Sequence, residues 1–78
     1  MREKVIERIE SAKQQIAFEI ECRDRSMVEV QEKLVKYAND PQYVREWLNT
    51  WMVAINSRNE RIAEMQQELR VLEWVLAD

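Results

Sequence analysis

Residues 37–44 read YANDPQYV, and this stretch carries the only real punctuation in the chain. Asp40 can accept a hydrogen bond as an N-cap. Pro41 then falls at the first helical position, where its missing N–H costs nothing. A helix must therefore end near residue 38 and another must begin at 41. A connection this short forces the two helices to run antiparallel.

Working outward from the turn, each arm repeats every seven residues. On the N-terminal side a 3,4 spacing picks out Ile6, Ile9, Lys13, Ile16, Ile20, Arg23, Met27, Val30, Leu34 and Tyr37. On the C-terminal side it picks out Val44, Leu48, Trp51, Ile55, Arg58, Ile62, Met65, Leu69, Leu72 and Leu76. A heptad pattern sustained this far predicts left-handed, coiled-coil-like helices over about 2–38 and about 41–77, each about 50 Å long at about 1.5 Å per residue. The predicted fold is an all-α antiparallel two-helix hairpin forming one domain over 1–78.

Composition agrees. Glycine is absent, proline occurs once and 46% of the 78 residues are hydrophobic, which leaves few turn or bulge signals and many helix formers. Twelve basic residues stand against fifteen acidic ones, and a net charge of -3 gives no field to attract nucleic acid or an anionic membrane. No apolar run approaches the roughly 18 residues needed to span a bilayer, so membrane insertion is not expected. The opening MREKVIERIE is charged and helical in pattern, unlike a targeting peptide. A lone Cys22 allows no intrachain disulfide, and the chain reads as cytoplasmic.

Both arms break their apolar repeat once, with Arg23 and Arg58. Folding the chain at 40 or 41 sets these two arginines opposite each other, at a polar waist that also holds Glu19, Asp24 and Glu60. Two facing guanidiniums repel unless acids or a bound anion neutralise them. The simpler reading pairs them with Glu19, Asp24 and Glu60 and uses them to fix register, as polar seam residues do in coiled coils. Ser26–Glu29 and Ser57–Glu60 also match the S-x-x-E capping box, which would break the helices at the waist; the uninterrupted heptads argue against a break.

Many apolar residues fall outside the seam. Phe18, Val28 and Val35 lie beside it on the first arm, and Trp47, Val71, Trp74 and Val75 on the second. A two-helix seam cannot cover them, and large exposed apolar patches on soluble proteins mark interaction surfaces. These seven are the candidate interface residues, with Trp74 on the outer side of the second helix. Self-association of two hairpins into a four-helix bundle covers most such surface with the fewest components, so a homodimer is expected, with room for another protein partner.

Chemistry is sparse. Without histidine, the usual His-containing metal and nucleophile constellations cannot be built. A chain without glycine has no phosphate-cradling Gly-rich loop. Glu60, Glu64 and Glu68 align on one helix face but read as a solvated row beside Arg61 and Arg70. Cys22, next to Arg23 and Arg25, reads as a small hydrophobe more readily than as a reactive thiol. No catalytic residue, metal site or cofactor is expected. The function read from sequence is a non-enzymatic interaction or oligomerisation module, adaptor or inhibitor. An anion or phosphate-ligand binder using the arginine waist comes second, and a small RNA-binding bundle third.

Overall fold

A computed structural model describes residues 2–77 as two helices, α1 (Arg2–Lys36) and α2 (Pro41–Ala77), packed as an antiparallel hairpin. The rod measures 58 × 15 × 13 Å. No strand occurs among the described residues, and both helices pass through Ser26 and Ser57 without interruption. The two S-x-x-E matches therefore lie inside helices and cap nothing. Among the described residues no helix is long and apolar enough to cross a membrane.

The turn is built from its own backbone and one side chain. Tyr37 N–H donates to the Lys33 carbonyl at 2.9 Å, and Ala38 N–H to the Val35 carbonyl at 3.3 Å. This second, i to i−3 bond tightens the last turn and ends α1 at Lys36, two residues before the expected position. Asp40 N–H donates back to the Tyr37 carbonyl at 2.9 Å. The Asp40 carboxylate accepts from Tyr43 N–H at 3.1 Å, as an N-cap does for the third residue of its helix. Asp40→Ala should lower stability by about 1 kcal/mol, seen as a lower urea midpoint with an unchanged m-value; a midpoint equal to wild type would show that the Asp40 carboxylate adds nothing as a cap.

Aromatic rings close the turn end. Tyr37 and Tyr43 stack with centroids 4.2 Å apart, and Trp47 and Trp51 follow at 6.3 and 6.4 Å from Tyr43. Partial burial, then the hydrogen bond with Tyr37 and the charge of Asp40, push the Tyr43 phenol above its ordinary range.

The seam of α2 follows the predicted heptads except at Leu48, which stays exposed: Ile55 and Ile62 are buried, and Val44, Trp51, Arg58, Met65, Leu69, Leu72 and Leu76 are half-buried. The seam of α1 follows only half of them. Ile9, Ile16, Arg23, Val30 and Tyr37 face α2 as predicted, but the alternate layers are filled by Val5, Ala12, Glu19, Ser26 and Lys33. Ile6, Lys13, Met27 and Leu34, placed in the seam by the 3,4 spacing, are exposed on one flank, and Ile20 is only half-buried.

Two physical causes account for this one-residue rotation. Bulky side chains on α2 leave space for small ones opposite, and Ala12 and Ser26 supply them, so the backbones can approach closely. Specific polar contacts then hold the frame: Glu19 reaches Arg58, and the Lys33 ammonium lies 5.0 Å from the Trp51 ring centroid.

Candidate interaction faces and the polar waist

At the waist the two seam arginines take different partners. Arg58 Nη1 crosses the seam to Glu19 Oε2 at 2.8 Å, and Arg61 Nε approaches the other oxygen of Glu19 at 3.9 Å. Arg23 turns the other way, donating to Asp24 Oδ1 from Nε and Nη2 at 3.2 and 3.1 Å and to Asn59 Oδ1 from Nη1 at 3.1 Å. Each guanidinium thus has its own acid, and the mutual repulsion is relieved by neutralisation. Glu60 stays exposed and outside both pairs.

The two pairs differ in surroundings. The Glu19 side chain keeps 8% of its accessible surface and the Arg58 side chain 36%, whereas Asp24 keeps 59%. A charge-assisted bond sheltered from water is stronger than an exposed one, where solvent competes. The Glu19–Arg58 bond is therefore the more sheltered of the two waist pairs. Peripheral pairs add little: Arg8–Glu68 at 3.2 Å ties the helices together on the surface, and Arg25–Glu21 at 3.4 Å spans one turn of α1.

No three His, Cys, Asp or Glu side chains among the described residues form a group that could hold a metal ion. Glu68, one of the aligned carboxylates, is engaged by Arg8. Cys22 is half-buried.

The candidate interface residues are all exposed, from Trp47 at 46% to Val35 at 79%, with Phe18, Val28, Val71, Trp74 and Val75 between. They do not form one patch. By heptad position, Val28 and Val35 lie on the back of α1, Phe18 around on its other side, and Trp47, Val71, Trp74 and Val75 spread over the outer surface of α2.

Sequence reasoning missed a more continuous surface, created by the rotated frame of α1. Ile6, Ile20, Met27 and Leu34 run along one flank of the seam, and Leu48 and Met52 of α2 complete it at the turn end. Shallow grooves mark both ends of this flank. One is lined by Ile6, Ile9, Lys13, Glu73 and Leu76, the other by Leu34, Tyr37, Val44, Arg45 and Leu48. The signal was present as three apolar positions per heptad on α1, more than a two-helix seam can use.

Two long helices closed by a capped turn and latched at a polar waist define an all-α helical hairpin. Comparison of the chain with protein-family models, with curated proteins and with solved structures finds no match in any of the three.

Proposed function

We propose that this chain is a non-enzymatic helical interaction module that acts as a cytoplasmic homodimer, two hairpins joining through their helical faces into a four-helix bundle. The observation that carries this reading is the mismatch between seam and surface. Among the described residues only Ile9, Ile16, Ile55 and Ile62 are buried apolar residues, while thirteen large hydrophobic side chains are exposed along the rod. Exposed apolar surface on this scale is covered by association in proteins that stay in solution.

The waist supports binding of a free anion less well. Arg58 already holds Glu19, and Arg23 holds Asp24 and Asn59. A phosphate would have to displace these internal partners.

The test is molecular mass by light scattering across a range of concentrations. A dimer of the 9.5 kDa chain gives 2 × 9.5, or about 19 kDa. A mass of one chain at every concentration overturns the reading.

A further inference from the structure

We infer that the dimer forms through one particular flank, the stripe of Ile6, Ile20, Met27 and Leu34 on α1, with the second copy reversed end for end so that α1 lies antiparallel on α1. This inference rests on the homodimer reading above and adds the face and the orientation.

Area sets the need. The hairpin exposes 6419 Å², whereas a compact monomer of its mass exposes about 5,000 Å². The difference, about 1,400 Å², exceeds the roughly 800 Å² that each partner contributes to a stable standard interface. A second copy can therefore cover the flank and bring the assembly to ordinary compactness.

Symmetry in the sequence selects the orientation. Ile6 and Leu34 lie two heptads to either side of Ile20, and Lys13 and Met27 one heptad to either side. A two-fold axis through Ile20 therefore sets Ile6 of one copy against Leu34 of the other and Ile20 against its own counterpart, with the aliphatic stem of Lys13 over Met27. On α2 the flank positions Arg45 and Glu73 lie two heptads to either side of Asn59, which Arg23 holds within a turn of the level of Ile20. The same reversal brings Arg45 of one copy to Glu73 of the other.

The two grooves agree with this match. Glu73 lies beside Ile6 in the groove at the open end, and Arg45 lies beside Leu34 in the groove at the turn end. End-for-end reversal lays one groove over the other, so apolar meets apolar and acid meets base at both ends. The alternative two-fold, with both turns at the same end, packs α1 on α2. It would set Ile6 against Glu73, Ile20 against Asn59 and Leu34 against Arg45, leaving polar groups opposite apolar ones at three of its five layers, against two in the reversed packing, where Lys13 meets Met27 and Gln66 meets Met52. Desolvating those groups without partners opposes that packing.

Cysteine cross-linking decides between them. Each variant carries Cys22→Ser, and light scattering on the reduced protein first establishes its mass. On mild oxidation, Ile20→Cys should move most of the chain from the 9.5 kDa band to 2 × 9.5, or about 19 kDa, on a non-reducing gel. A mixture of the separate Ile6→Cys and Leu34→Cys variants should cross-link to each other in preference to themselves, and Trp74→Cys, off the flank, should stay monomeric on the gel. A dimer in solution that fails to link through Ile20, or links through Trp74 instead, overturns the proposed face and orientation while leaving self-association intact. A reduced protein that is monomeric throughout, as wild type and as variant, overturns the homodimer reading beneath it.

Discussion

Ile62→Ala lowers the unfolding free energy by about 3 kcal/mol, while Phe18→Ala changes it by less than about 0.5 kcal/mol. Ile62 keeps 4% of its surface and is the most buried apolar residue among those described, whereas Phe18 keeps 60%. Truncating Ile62 removes three heavy atoms from contact and opens a cavity between two long helices, whose rigid backbones collapse into it only partly. Four buried isoleucines make up the apolar core among the described residues, which leaves little else to absorb the loss. Such a loss is a large fraction of the stability of any small domain. Urea denaturation at one fixed protein concentration checks it, since the stability of a self-associating chain depends on concentration. Equal losses for Ile62→Ala and Phe18→Ala would place the core elsewhere.

The turn and the all-α hairpin could be read from sequence because each rests on local chemistry: Asp40 and Pro41 cap a helix whatever surrounds them, and α2 offers one dominant apolar stripe. The frame of α1 could not be read the same way. Ile9, Ile16, Arg23, Val30 and Tyr37 belong to both possible stripes, and counting apolar residues favours Ile6, Ile20, Met27 and Leu34 over Val5, Glu19, Ser26 and Lys33. The choice turns on what α2 presents. A bulky partner stripe accepts small and polar residues opposite it, and Glu19 finds Arg58 only in the rotated frame. The apolar residues left over on α1 then lie on the proposed dimer flank. The waist was legible as a cluster of charges, but its pairing depended on the same rotation, so the two arginines found separate partners.

Removing the two ends of the waist bond has unequal effects, because the ends are unequally buried. Arg58→Ala strands the Glu19 carboxylate at 8% exposure, with only Arg61 at 3.9 Å to answer it. Breaking a fully buried pair from one side costs roughly 3 to 5 kcal/mol; with Arg61 nearby and Arg58 partly in water, about 2 kcal/mol is expected here. Glu19→Leu removes the buried charge itself. Arg58, already 36% exposed, can swing its head into solvent while its stem stays in the seam. The desolvation penalty of the carboxylate disappears and a leucine packs in its place, so stability changes by no more than about 1 kcal/mol in either direction. Thermal or urea unfolding of the two variants checks the order, and a Glu19→Leu loss as large as that of Arg58→Ala would show that the bond contributes through Coulomb attraction alone. Frame specificity gives a second readout. Without Glu19 nothing polar in the alternate layers of the N-terminal half of α1 favours the rotated stripe over the one through Ile6 and Ile20, so the two frames compete. Exchange of the Ile16–Arg23 backbone amides should quicken in Glu19→Leu even where global stability is kept, because stability and uniqueness of packing are set by different residues.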